Sequence, residues 1–308
     1  MARRRKGRNV NGWLVVDKPS GMTSTDVVNR VRRLLDARKV GHGGTLDPLA
    51  TGLLPLAFGE ATKTVAWVME GDKTYRFTVR WGEATDSDDA EGEVIAQSER
   101  RPGREEIEAA LPRFIGEIEQ TPPIFSAIKV DGQRAYDLAR EGEDVVLKSR
   151  SVRIDAFELL EMPDRDHAVF EVKSGKGAYM RSLARDLGEA LGCLGHIAQL
   201  RRLAVGPFTE EDAISLDSLG QDEHCAAAVE QVLPVETALD DIPALALTEP
   251  EAVRLRSGQA ISLLSRSQAE RVRDLEPGDI VCAMAGDKLV AIARFEAGEL
   301  RPVRVLNL

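Results

Sequence analysis

The sequence predicts an α+β fold: a largely antiparallel sheet flanked by helices, followed by a small β-rich module. Three observations predict it. Helical and strand periodicities are interleaved without the regular spacing of βαβ units. Residues 75–81 alternate strictly, apolar against polar, as a strand buried on one face does. After about residue 235 the texture changes to short alternating segments punctuated by glycine. At 308 residues the chain also exceeds what one hydrophobic core ordinarily fills, roughly 250–300 residues, so one large domain and one small one are expected.

Residues 1–9 read as a basic tail, with Arg3, Arg4, Arg5, Lys6 and Arg8 and no apolar run behind them, so they are not a secretory signal. Val27, Val28, Val31, Leu34 and Leu35 then recur at helical spacing, with Thr23 and Asp26 placed as a capping box. The other faces of that helix and its exit carry Arg30, Arg32, Arg33, Arg38 and Lys39. They are either a solvated face or a surface that lies along a phosphate backbone. In the 75–81 strand Tyr75, Phe77, Val79 and Trp81 share one face. Further strands are expected at 126–130, before the Asp131-Gly132 turn, and at 152–160 and 168–173. Met180, Leu183, Ala184, Leu187, Ala190 and Leu191 mark a helix that stops near Gly192. Residues 240–243 read as a linker. A short helix at 249–256 and strands at 279–283, 289–295 and 302–306 complete the β-rich module.

Composition narrows the function classes. Apolar residues make up 43% and charged residues 30%, and no apolar run approaches the roughly 20 residues a bilayer span needs. Cys193, Cys225 and Cys282 are odd in number and form no CxxC pair, which argues against a disulfide framework and a zinc site and fits a reducing cytoplasm. The net charge is −10, from 41 Lys and Arg against 51 Asp and Glu. Phosphate neutralisation supplies most non-specific nucleic-acid affinity, so any RNA-binding surface must be local. The acidic stretch 85–92 lacks the spacing of an EF-hand loop.

Gly41-His-Gly-Gly-Thr-Leu-Asp-Pro48 is the loop most suited to chemistry. Its glycines let backbone approach a ligand, and Pro48 biases Asp47 to an extended conformation. Neither a P-loop nor a Rossmann fingerprint is present. Arg181 falls in the first turn of its helix, where the dipole disfavours a cation, so it calls for a carboxylate. Asp47 and Asp89 are the partners that would make it functional; Asp186 is the surface alternative. Tyr75, Tyr136 and Tyr179 each sit beside a cation, as base-stacking rings or as core rings with a wet hydroxyl.

Longer strings carry more information than residue types. Gly12-Trp-Leu-Val-Val-Asp-Lys-Pro-Ser-Gly-Met-Thr-Ser24, 41–55, Gly59-Glu-Ala-Thr-Lys63, Asp72-Lys-Thr-Tyr75, 82–92, 120–129, 132–140, Ser174-Gly-Lys-Gly-Ala-Tyr-Met-Arg181 and Leu200-Arg-Arg-Leu203 follow in order. Over residues 10–235 this set resembles the tRNA pseudouridine-55 synthase (TruB) family. Residues 240–308 are more weakly similar to its PUA-like C-terminal domain. The resemblance implies a pseudouridine synthase fold and isomerisation of uridine 55 in the T loop of tRNA, with base flipping and no cofactor or metal.

It further implies that Asp47 is the catalytic acid, acting on the ribose either at C1′ or by initiating loss of the 2′ proton. Tyr75 and Arg181 are the other catalytic residues it implies: Tyr75 stacks on the target base and assists proton transfer late in the reaction, and Arg181 pairs with the acid. Asp89 joins the same electrostatic network, Tyr179 and Leu200 line the uracil pocket, and His42 fills the space the flipped base leaves. Lys18 and Pro19 form a structural motif beneath the site, and Lys129 and Arg140 contact phosphate. The T stem-loop is the partner, and a cytoplasmic monomer needing no protein partner is expected. Phe125, where the family commonly has Tyr, and Asp88, which adds charge to the acidic loop, are departures. An RNA-binding protein without catalysis and a carboxylate-pair hydrolase are the other function classes, the latter requiring a second acid about 5–9.5 Å from Asp47.

Overall fold

The computed structural model describes residues 7–126, 129–130, 133–134, 147–220, 226–265, 268 and 270–308. The first helix, Ser24–Leu34, begins where the sequence places it. Thr23 Oγ1 accepts from Asp26 N at 3.1 Å and Asp26 Oδ2 accepts from Thr23 N at 3.1 Å, closing the capping box. Val27, Val31, Leu34 and Leu35 are buried, while Arg32, Arg33, Arg38 and Lys39 are exposed.

The strands of the large domain are β1 Gly12–Lys18, β2 Val40–His42, β3 Thr51–Phe58, β4 Lys73–Trp81, the hairpin β5 Glu83–Thr85 with β6 Val94–Gln97, and β7 Gly116–Gln120. The pair β8 Lys129–Val130 with β9 Gln133–Arg134 follows, then β10 Arg150–Glu161, β11 His167–Ser174, β12 Gly195–Val205 and β13 Ala213–Ser215. The main sheet runs β13-β1-β3-β12-β4-β11-β10-β7, with β2 pairing with β3. Only β1 with β13 and β3 with β12 are parallel, so the sheet is mixed and mainly antiparallel. One contact sets its centre. Gly52, at φ +97°, lies against Arg202 where β3 meets β12, and a Cβ there would stand 2.2 Å from the Arg202 carbonyl oxygen. Only glycine fits.

The helix Met180–Ala190 packs on one part of this sheet, burying Leu183, Ala184 and Leu187 against Phe77, Trp81 and Phe170. Phe77, Phe157 and Phe170 have ring centroids 5.3–6.0 Å apart, pairs worth roughly 0.5–1.5 kcal/mol each beyond area burial. The Ser24–Leu34 helix covers Leu14, Val16, Leu54 and Leu56 of β1 and β3.

In the C-terminal module β14 Ala244–Ala246, β15 Ile261–Ser262, β16 Ile280–Ala285, β17 Lys288–Glu296 and β18 Glu299–Val305 form a sheet ordered β14-β16-β17-β18-β15. One face joins Leu255 of the predicted helix Glu249–Arg256 in a core of its own. The other, through Cys282, Leu289, Ile292 and Leu306, shares a core with Trp13, Val15 and Leu53. Lys63 Nζ donates to Val305 O at 2.8 Å, and Asn307 N to Glu60 Oε2 at 2.7 Å, across the same seam. The composition break near residue 240 therefore marks a change of sheet, with apolar packing continuous across it.

Differences from the sequence reading are local. The 75–81 strand begins two residues earlier, at Lys73. The 126–130 strand reduces, among described residues, to Lys129–Val130, and the turn at 131–132 lies outside them. Strands β1 and β3 escape a period-2 search because both faces are buried and their apolar runs are nearly continuous. No helix among the described residues is long and apolar enough to cross a membrane.

Candidate active site

The loop after β2 is fixed by groups that grip its backbone on both sides of Asp47. Ser24 Oγ donates to Leu46 O at 3.0 Å and accepts from Leu46 N at 2.8 Å. The fully buried Lys18 Nζ donates to Pro19 O, Met22 O and Pro48 O at 2.7–3.0 Å, and Gly21 N also donates to Pro48 O. On the other side Arg202, equally buried, donates to Leu53 O at 2.8 Å, Gly44 O at 3.2 Å and Thr45 O at 3.5 Å. Lys18 thereby ties the end of β1 and the carbonyl of Pro19 to the loop at Pro48. Burial lowers the Lys18 ammonium to about 8, against the attraction of Asp47.

Arg181 occupies the second position of the Met180–Ala190 helix and is 4% exposed. Its Nε stands 3.0 Å from Asp47 Oδ2, an ion pair outside hydrogen-bond geometry, and its Nη1 is 3.7 Å from Asp89 Oδ2. Nη1 also donates to Ser87 O at 3.0 Å and Nη2 to Phe125 O at 2.9 Å. The helix-start arginine has both carboxylates its position called for, and Asp186 instead pairs with Arg185. The backbone carbonyl that Phe125 contributes does not depend on its missing ring hydroxyl. Asp89 is held in turn, its Oδ1 accepting from Ser87 Oγ at 2.6 Å and Glu91 N at 3.0 Å.

One helical turn on, Arg185 repeats the arrangement. Its Nη1 meets Asp88 Oδ2 at 2.9 Å, so successive acids of the 85–92 loop are docked on arginines four residues apart. Asp88 adopts φ +62°, a left-handed conformation that this anchoring holds in place, and burial pushes its carboxyl up to about 6. The acidity this chain adds to the loop is thus met by Arg185.

Burial also raises the Asp47 carboxyl above the usual range; Arg181 opposes that rise and Asp89 adds to it. The side chain is 34% exposed and opens into a pocket of about 280 Å³. Tyr75, Tyr179, Leu200 and Arg181 line that pocket with it. Gln120 positions Tyr179, donating from Nε2 to its carbonyl at 3.1 Å and accepting its N–H at 2.8 Å. The Arg150 guanidinium lies 5.0 Å over the Tyr179 ring. Two aromatic rings, one leucine and a paired carboxylate make a slot suited to a planar base with its sugar against Asp47.

Other expected residues lie elsewhere. Asp89 stands behind Arg181 and is not in the pocket lining, so it cannot be the second carboxylate of a hydrolase facing Asp47 across a substrate. His42 is half-buried on β2 beside the loop, also outside the lining, with its pKa lowered by burial and by Arg202. Lys129 is described only in its backbone, and Tyr136, Arg140 and Cys225 lie outside the described residues. Cys193 and Cys282 are buried free thiols. Sequence reasoning missed Lys73, Arg150 and Arg202, all in the pocket wall. The signal for Lys73 was available, since it shares a strand face with Tyr75 two residues on. For Arg202 there was none, because a basic pair inside a strand reads as solvated.

Comparison with known proteins agrees with this geometry. Residues 32–180 match the model described as TruB family pseudouridylate synthase (N terminal domain), and 181–240 that of the tRNA pseudouridylate synthase B C-terminal domain. The boundary between the two matches falls between Tyr179 and Arg181, inside one pocket. The chain is 58% identical over its full length, and the relative's, to a Rhodospirillum rubrum protein named tRNA pseudouridine synthase B. A Gluconacetobacter diazotrophicus protein of the same name is 59% identical, covering 99% of this chain and 100% of the relative. Among solved structures, a Cbf5-Nop10-Gar1 complex aligns with TM-score 0.68 and 26% identity over 92% of this chain and 78% of that one. An archaeal box H/ACA sRNP Nop10-Cbf5 complex shares the fold, with TM-score 0.71 and 24% identity over 96% of this chain and 86% of that one. The chain belongs to the TruB family of pseudouridylate synthases.

Proposed function

We propose that this protein isomerises uridine to pseudouridine in tRNA, and that its target is uridine 55 of the T loop. The observation that carries the reading is the Asp47–Arg181–Asp89 chain of charges at the floor of a pocket walled by Tyr75, Tyr179 and Leu200. In the reaction the N1–C1′ bond breaks, the uracil turns, C5 bonds to C1′, and the C5 proton is lost as N1 gains one. Atoms and electrons balance without an oxidant, a reductant or water, so no cofactor is required. Asp47 acts on the ribose as a carboxylate, as nucleophile at C1′ or as the base that starts loss of the 2′ proton; Arg181 favours its ionised form in both routes. Tyr75 stacks on the base.

The RNA contact is supported by the cleft at Arg32, Arg33, Arg38 and Lys39, none of which makes an ion pair among the described residues. On a chain of net charge −10 such a concentration is the local basic surface RNA requires. Residues 240–308 are assigned as the PUA-like domain, and His42, Lys129 and Arg140 as RNA contacts. The same reading has the protein act as a monomer in the cytoplasm; the buried free thiols suit a reducing compartment. Incubation with unmodified T-arm RNA, followed by nucleoside chromatography, tests it. Wild type should form pseudouridine and Asp47→Asn should not; equal activity of the two, or none in wild type, defeats the proposal.

A further inference from the structure

Lys73 and Arg150 line the pocket with Asp47, and their protein partners leave part of each unused. Lys73 is 7% exposed. Its Nζ donates to Met69 O and Gly71 O, at the end of the helix Val65–Glu70. An ammonium has three N–H groups, so among the described residues one remains. The acids that act on it electrostatically, Asp72 and Glu70, are engaged elsewhere: Asp72 with Arg153 and Lys173, Glu70 with Lys176. Lys18, by contrast, spends all three N–H groups on carbonyls. Arg150 gives Nη2 to Gly177 O, while its Nε is buried with no hydrogen-bond partner among the described residues. A buried donor left unmet is costly and in a native site calls for a ligand.

Two cations with spare donors, on the wall of a base-sized pocket, call for an anion rich in acceptor oxygens. Gly44, Gly175 and Gly177 in the same lining leave space for a sugar-phosphate backbone to come close. The only anionic groups near a nucleotide inserted base-first are its two phosphodiesters. Resting on the isomerase reading above, we propose that Lys73 and Arg150 form a phosphodiester subsite that grips one of the two phosphates bracketing the flipped uridine. Lys73 thereby holds the ribose at Asp47 while Arg150 joins that grip to the Tyr179 stack. Burial, with Arg202 nearby, lowers the Lys73 ammonium to about 8, and an anion bound beside it would reverse that shift.

The competing account makes Lys73 only a cap on the preceding helix. The two separate with T-arm RNAs carrying a single neutral methylphosphonate 5′ or 3′ of the target, flanked by 2′-O-methyl nucleotides for chemical stability. Matched RNAs with the ordinary linkage are the reference, and Kd is measured for wild type, Lys73→Met, Lys73→Arg and Arg150→Gln. Neutralising one of the two linkages should weaken wild-type binding about ten- to hundredfold. Lys73→Met and Arg150→Gln should bind the reference RNA more weakly and lose little further on neutralisation, while Lys73→Arg regains the sensitivity. If neither linkage matters to wild type, or neutralisation weakens wild type and Lys73→Met equally, the subsite is wrong. Turnover of unmodified RNA by wild type, measured in parallel, reports on the isomerase reading by itself.

Discussion

Replacing Arg181 by methionine keeps much of the side chain's length and removes its charge. Asp47 on the pocket floor and the buried Asp89 behind it then face each other with no cation between them, and the carbonyls of Ser87 and Phe125 lose the hydrogen bonds that Arg181 gave them. Removing one partner of a buried ion pair costs roughly 3–5 kcal/mol. For a chain of 308 residues that is a fall in Tm of roughly 5–8 °C. A second effect falls on chemistry. Burial already raises the Asp47 carboxyl and Arg181 is the chief opposing influence, so without it the acid is protonated over a wider pH range. Residual turnover of Arg181→Met should therefore climb toward alkaline pH relative to wild type. Thermal melting, with pseudouridine formation on T-arm RNA from mildly acidic to mildly alkaline pH, measures both. A variant that melts within a degree of wild type and has a superimposable pH profile would refute the assignment of Arg181 as the group that keeps Asp47 ionised.

Four further outcomes follow from the loop contacts and the basic cleft. Because burial raises the Asp47 carboxyl, the native state takes up that proton at a higher pH than the unfolded chain, so stability falls as pH rises through the intervening window. Asp47→Asn should abolish turnover, lessen that fall and melt no lower than wild type at neutral pH; an undiminished pH slope in its melting temperature contradicts this. Lys18→Met strands the carbonyls of Pro19 and Met22, leaves Pro48 O with only the Gly21 N–H, and should cost roughly 3 kcal/mol in urea unfolding, with kcat reduced more than KM is raised. Wild-type turnover should also drop above about pH 8, where Lys18 sheds its proton and keeps two N–H groups for three acceptors; a flat profile there argues against the clamp. Reversing two charges of the basic cleft, Arg32→Glu with Arg38→Glu, should weaken RNA binding and reduce the slope of log Kd against log salt by roughly 1.5. An unchanged slope would remove that cleft from the interface.

Wherever local chemistry decides the outcome, the sequence by itself determined it. Thr23 and Asp26 cap the first helix, a period of 2 makes Tyr75 to Trp81 a strand face, and Gly192 ends the second long helix, because each depends on residues within a few positions. Arg181 was legible as an unmatched cation for a similar reason: a helix start has a fixed electrostatic sign. The β-rich tail was legible from alternation and glycine turns. What it packs against was not, since the continuation of the Trp13 core into Cys282 and Ile292 joins residues far apart in the chain.

Only tertiary structure decided the company Asp47 keeps. Strand β12, inserted between β3 and β4, brings Leu200 and the buried Arg202 to the loop, and nothing in a basic pair inside a strand announces burial. The same assembly put Asp89 behind Arg181 instead of in the pocket and left spare donors on Lys73 and Arg150. Those outcomes depend on which backbone carbonyls lie within 3 Å of a side chain. Distances of that kind are set by how sheet and helices pack, and residue order does not contain them.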